Sequence, residues 1–113
     1  MNKTSSKIAL LNDSFRHTGR HLLFSLGVLH FNDQNLFRLD QALQNYTNFT
    51  KQTDPHGEHD FGVFTWENQQ VIWKICYYDL KEIGPCDPLS PHCQRILYVM
   101  LKQEYYDGKH KRN

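Results

Sequence analysis

Two runs dense in aromatic and β-branched residues, Asp60-Phe-Gly-Val-Phe-Thr-Trp66 and Val71-Ile-Trp-Lys-Ile-Cys-Tyr-Tyr78, flank Glu67-Asn-Gln-Gln70. Paired β-prone runs around a short polar connector predict a β-hairpin. Both tryptophans of the chain lie in it. With Asn68-Gln69 as the turn, Glu67 pairs with Gln70, Phe64 with Trp73, Gly62 with Ile75 and Asp60 with Tyr77. Side chains alternate between the faces of a strand. Phe64, Trp66, Val71, Trp73, Ile75 and Tyr77 therefore share one face, read as core. Phe61, Val63, Ile72, Lys74, Cys76 and Tyr78 share the other, with His59 opposite Tyr78.

The rest of the chain supplies mainly helices. Residues 5–17 carry Ile8, Leu11 and Phe15 on one stripe, with Ser5 or Ser6 as cap and Gly19 as terminator. His21 to Gly27 is short and apolar, which suits a strand. Asn32, Asp33 and Asn35 can each cap an amphipathic helix over 34–45, with Leu36, Phe37, Leu39 and Leu43 on its apolar face. Tyr46 to Thr50 is β-prone and predicts a further short strand. Asp54-Pro55 and Gly57 force a loop over 51–58. Asp79 to Pro91 holds Gly84-Pro85, Asp87-Pro88 and Ser90-Pro91 and is read as irregular. Ser90 as cap and Pro91 at the first helical position predict a helix over 92–106, with Ile96, Leu97, Met100, Leu101 and Tyr105 as its stripe. The expected fold class is α+β. It is a small antiparallel sheet with a central hairpin, an N-terminal helix, a middle helix and a C-terminal helix packed on the sheet. The 113 residues suit a single domain, 1–113, with 1–5 and 107–113 frayed.

Charge and cysteine usage narrow the classes. The formal net charge is +1, so no global field selects an acidic partner. The one basic run, Lys109-His-Lys-Arg112, is terminal. Tyr46, Phe49, Phe61 and Tyr78 lack the interleaved basic residues of a single-strand binder, so nucleic acid is not an expected partner. No apolar run has the length of a membrane span or follows the start as a leader would, which points to the cytoplasm and to no membrane association. Of the three cysteines, Cys76 reads as a small buried thiol in a strand. Cys86 and Cys93 flank the proline-rich turn and are expected to stay reduced. With His92 they lack the paired spacing of a structural zinc site.

The densest group of titratable residues is Asp54-Pro-His-Gly-Glu-His-Asp60. Glu58, His59 and Asp60 are the candidate catalytic residues, because an imidazole beside carboxylates serves general acid–base chemistry. His56 and His59 are the ligands a divalent ion would use there. Pro55 and Gly57 exclude the helix that a His-Glu-x-x-His metal motif requires, so no metal and no cofactor are assigned. His56, Lys74, Tyr78 and Asp79 are the candidate binding residues. The same polar side chains also suit a purely local task, since a loop entering a hairpin must satisfy its own backbone. Asp54 and Asp60 are expected to accept backbone N–H bonds.

The residues just quoted resemble a bacterial family catalogued as a domain of unknown function, number 3768. The resemblance lies in Asp54-Pro-His-Gly-Glu-His-Asp-Phe-Gly62, Trp73-Lys-Ile-Cys-Tyr-Tyr-Asp79, Asp87-Pro88 and Glu104-Tyr105, with Ile8-Ala-Leu-Leu-Asn-Asp-Ser-Phe-Arg16 and Thr18-Gly19 as the opening. It implies a small stand-alone bacterial protein often carried on mobile elements, and it implies no activity. The chain departs from the family pattern at His56, where tyrosine is usual, at Cys76, where aspartate is usual, and in Asp87-Pro-Leu-Ser-Pro91, which lacks a second aspartate. Two readings of function follow. The first is a non-enzymatic binding or accessory protein, regulatory and of mobile-element type, with a protein partner. The alternative is a small hydrolase or metal-dependent enzyme working at Glu58, His59 and Asp60. An enzyme needs a concave site where those groups converge. A binding protein needs an exposed apolar or aromatic patch.

Overall fold

Strands β1 (Leu22–Phe24), β2 (Phe61–Trp66), β3 (Gln69–Asp79) and β4 (Cys93–Leu101) form one sheet in the order β1-β4-β3-β2. The computed structural model describes residues 2–18, 21–79, 81 and 86–111. The helices are α1 (Lys3–His17), α2 (Leu26–Leu29), α3 (Asp33–Gln44) and α4 (Lys102–Lys111). The class is α+β as expected, but the sheet is mixed. β2, β3 and β4 run antiparallel, whereas β1 pairs parallel to β4, Leu22 against Leu97.

The largest departure from the sequence reading is β4. Residues 93–101 are not the body of a C-terminal helix but a central strand, and the helix begins only at Lys102. Leu97 and Val99 turn to the inner face and are fully buried, while Ile96, Tyr98 and Met100 turn outward. Apolar residues at 96, 97, 100 and 101 fit a helical stripe and a two-faced strand equally well. Pairing with nine consecutive residues of β3 selects the strand. Ser90-Pro91 then serves as a turn, with the Cys93 N–H donating to the Ser90 carbonyl at 3.1 Å.

The hairpin is present with a different turn. Glu67 and Asn68 occupy it, with φ of 49° and 63°, the left-handed pair that a tight two-residue hairpin turn uses. Phe64 therefore faces Val71, and Gly62 faces Trp73. Moving the turn by one residue shifts every partner by two positions, so each side chain keeps its predicted face. Gly62 is required at its position, because a Cβ there would run into the indole of Trp73 and the ring of Tyr46.

Smaller differences concern the helix caps and the short strands. Asn2, not Ser5 or Ser6, caps α1 by accepting the Ser5 N–H at 2.7 Å. Gly19, the expected terminator, lies outside the described residues, and Thr18 is the C-cap. The predicted strand at 21–27 is shorter, and one turn of helix, α2, follows it. Residues 46–50 form no strand; Tyr46 and Phe49 pack inward instead. Asn32 caps α3 as the sequence allowed, accepting the Asn35 N–H at 2.8 Å.

α1, α2 and α3 cover the inner sheet face, where Val28, Leu39, Leu43 and Tyr46 meet Val71, Trp73, Ile75, Leu97 and Val99. α4 reaches the outer face, where Tyr105 packs on Phe61. Its start is fixed by Glu104, whose carboxylate accepts the Ser25 hydroxyl at 2.5 Å, the Leu101 N–H at 2.9 Å and the Gly27 N–H at 3.0 Å. The Leu101 bond is half of a capping box, while the other two tie α4 to the β1–α2 corner.

Candidate functional site

The loop before β2 is built on Asp54. Its side chain is 5% exposed, and its Oδ1 accepts the N–H groups of Glu58 at 3.0 Å and His59 at 3.2 Å. This is the capping role expected of it. Asp60 also accepts a backbone N–H, its own, and its carboxylate faces the Tyr77 hydroxyl at 3.5 Å. His59 is left-handed, with φ 56°, which is uncommon outside glycine. Simple alternation would place its ring on the outer face beside Lys74, Cys76 and Tyr78. The left-handed backbone turns it to the inner side instead. There it stacks on Phe49, 3.9 Å between ring centroids and 3° between planes, and its Nδ1 lies 3.0 Å from Asp13 Oδ1 of α1. Nε2 faces Asp54 Oδ2 at 3.9 Å.

Beneath His59 the stack continues inward. The Arg16 guanidinium carbon sits 5.5 Å from the Phe49 centroid and 5.2 Å from that of Trp73. Arg16 is 2% exposed. It donates to the Leu43 carbonyl at 2.8 Å and the Tyr46 carbonyl at 3.1 Å, and it pairs with Asp13 at 3.2 Å. A cation at the carbonyl end of α3 suits the helix dipole. The stripe of α1 that faces the protein is thus Ser5, Ile8, Ala9, Asn12 and Arg16, and Leu11 of the predicted stripe is 45% exposed.

Asn12 is the second hub and is fully buried. Its Nδ2 donates to the Glu58 carbonyl at 2.9 Å and to the Tyr77 hydroxyl at 2.8 Å. Its Oδ1 accepts Arg95 Nε at 2.7 Å. Every polar atom of the amide is used, which is what makes its burial tolerable. Burial pushes the Tyr77 phenol well above its ordinary value. Burial, and then the charge of Asp54, raise Asp60, against the opposing pull of its own backbone N–H and then of the Lys74 ammonium. Glu58 is raised by burial and then by Asp60.

The predicted residues therefore divide. Glu58, His59 and Asp60 come together with Asp13, Asp54, Asn12 and Tyr77, five of whose contacts are to backbone or to one another rather than into an open cavity. His56 is exposed, and among the described residues no group of three or more His, Cys, Asp or Glu is arranged around a common ion position. Lys74 and Tyr78 lie on the outer face. Register places Leu23, Tyr98, Lys74 and Phe61 in one row across all four strands. Tyr78 meets Tyr98 hydroxyl to hydroxyl at 3.3 Å, and that bond, with burial, pushes the Tyr78 phenol up to about 12. Asp79 accepts the Lys81 N–H at 2.9 Å. Sequence reasoning missed Asn12, Asp13, Phe49 and Arg95. The available signal was in α1, where Asn12 and Arg16 continue the spacing of Ser5 and Ile8 around the helix.

The fold and this cluster define a small α+β protein on a mixed four-stranded sheet, with a buried polar network joining its first helix to its hairpin. The chain belongs to the family described as a protein of unknown function, DUF3768, whose model matches residues 24–104. The match includes the 54–60 loop, the hairpin and β4, and it begins after α1. No curated protein and no solved structure matches the chain.

Proposed function

We propose that the chain is a non-enzymatic binding protein, accessory or regulatory in kind, that presents the outer face of its sheet to a protein partner. The observation that carries this reading is the row Leu23, Tyr98, Lys74 and Phe61. It places apolar and aromatic groups around one ammonium across the full sheet, with Leu23 42% exposed and Lys74 exposed. Aromatic groups around a charge on a rigid sheet suit recognition more than chemistry. With the family resemblance, the reading extends to a small soluble bacterial protein of mobile-element type acting in the cytoplasm. The competing reading, a hydrolase or metal-dependent enzyme at Glu58, His59 and Asp60, draws on the 3.0 Å Asp13–His59 contact, a pairing that orients an imidazole for base catalysis. The binding reading is preferred because that ring is stacked on Phe49 and has a carboxylate beside each nitrogen.

A photoreactive residue in place of Tyr98 should capture one discrete partner in the native host, and one in place of Gln41 on α3 should not. Lys74→Glu should abolish capture without changing the melting temperature. Equal capture from both positions, or from neither, overturns the reading. A His59→Gln protein with unchanged melting temperature and lost phenotype would favour the enzyme instead.

A further inference from the structure

A cleft of about 350 Å³, open to solvent, lies between the end of α1 and the start of β4. Arg95 lines it, together with Ser14, Thr18, His21, Leu11 and Phe15. The guanidinium of Arg95 is held from three directions. Nε donates to Asn12 Oδ1 at 2.7 Å, Nη2 donates to the Pro88 carbonyl at 2.8 Å, and the group lies 5.2 Å from the Tyr77 centroid. All three partners are uncharged. Among the described residues no carboxylate lies within ion-pair distance of Arg95, in contrast to Arg16, which has Asp13. A guanidinium has five N–H donors, and these contacts use two. What remains is a positioned cation with spare donors beside a cleft that contains no acidic side chain among the described residues.

We propose that this cleft binds a small organic anion. A carboxylate or phosphate head lies on the free edge of Arg95, and an apolar body lies against Leu11 and Phe15. Arginine takes either head through paired N–H donors, and a guanidinium held in advance loses little freedom on binding. The Ser14 hydroxyl, exposed on α1, is a further donor at the rim. The carbonyl end of α1 also borders the cleft, and a bare helix C-terminus would repel an anion. Here the Ser14 carbonyl already accepts the N–H of Thr18 at 3.0 Å and its hydroxyl at 2.9 Å. Leu11, 45% exposed on a helix whose buried stripe is partly polar, gains a role as the apolar wall. This site is separate from the outer face and does not depend on the partner proposed there.

The test is a titration of the full chain, followed by NMR at low ionic strength, with phenyl phosphate, phenylacetate, inorganic phosphate and benzyl alcohol. Phenyl phosphate or phenylacetate should bind saturably and shift the Arg95 side-chain N–H and the Phe15 ring, and their ratio identifies the preferred head. Inorganic phosphate should bind more weakly, and benzyl alcohol should not saturate in the same range. Arg95→Gln breaks the Asn12 contact and can unfold the protein, so Ser14→Glu is the decisive variant. It changes an exposed position and supplies Arg95 with a carboxylate of its own. It should weaken binding about tenfold or more, the worth of one charge-assisted contact, at unchanged melting temperature. Absence of saturable binding by either organic anion overturns the proposal. So does benzyl alcohol or inorganic phosphate binding as tightly as phenyl phosphate, or undiminished binding by Ser14→Glu.

Discussion

Asn12 and Arg95 stand 83 residues apart in sequence and are joined by a 2.7 Å hydrogen bond from guanidinium to amide oxygen. The same amide donates to Tyr77 and to the Glu58 carbonyl. One side chain of α1 thus connects the loop before β2, strand β3 and strand β4. A helix that precedes the family-matched span is thereby made part of the fold's polar interior.

Asn12→Ala should therefore cost at least about 2 kcal/mol, because it strands several polar groups beneath α1 at once. Ser14→Ala, on the exposed side of the same helix, should lie within about 0.5 kcal/mol of wild type. Urea denaturation of both variants measures the difference, and equal midpoints would disprove the hub role of Asn12.

Trp73 is completely buried between Arg16, Tyr46 and Phe49. Trp73→Ala should cost about 3–5 kcal/mol, as large aromatic truncations do. Gly62→Ala should also destabilise, because the added methyl meets the indole. Thermal melts test both, and a Trp73→Ala protein that melts like wild type would refute the placement.

His59 and Asp13 should be energetically coupled. Each single alanine substitution removes the same contact, so the double variant should cost less than the sum by at least about 0.5 kcal/mol. Strict additivity in denaturant melts would mean that the Phe49 stack alone holds the ring.

Stability should depend on pH in two opposed ways. Burial by itself would raise Glu104, but the bonds from Ser25, Leu101 and Gly27 outweigh it and hold the carboxyl below 4.5. Its contribution is present above 4.5 and is lost as pH falls through the lowered folded value. Asp60 is raised by burial and by Asp54, so the stability linked to its proton is lost as pH rises from 3.8 through the raised value. Glu104→Gln should flatten the acid limb of the stability curve. Asp60→Asn should reduce the loss on the rising side. Denaturant midpoints measured across the acid range check both slopes.

Burial, and then the neighbouring Cys86 thiol, push Cys93 up to about 12. The thiolate is the reactive form, so native Cys93 should alkylate slowly near neutral pH. All three cysteines should label once the chain is denatured. Mass spectrometry of time points decides this, and rapid native labelling of Cys93 would contradict it.

Much of the fold was legible because it rests on local chemistry. Asn32 before an amphipathic run specifies α3. Pro55 and Gly57 specify the loop, and period-two alternation from Phe61 to Tyr78 specifies the hairpin and its inner face. The hairpin register was legible only to its parity, because a turn at 67–68 and one at 68–69 leave every side chain on the same face.

For the site, Asp54, Glu58, His59 and Asp60 could be singled out because they crowd one short loop. Their use could not. The direction of the His59 ring depends on a left-handed backbone held by Asp54 and on Phe49 and Asp13, neither of which is its neighbour in sequence. The sequence by itself determined where chain direction must change and which faces of its hairpin and middle helix are apolar, apart from Phe37, which is 64% exposed, because these depend on residues within a turn or two of one another. Only the tertiary structure decided that residues 93–101 are a strand, that β1 runs parallel to it, and that Asn12 and Arg16 point inward. An apolar run can satisfy its backbone as a helix or in a ladder, and a polar side chain tolerates burial only where distant partners complete its hydrogen bonds.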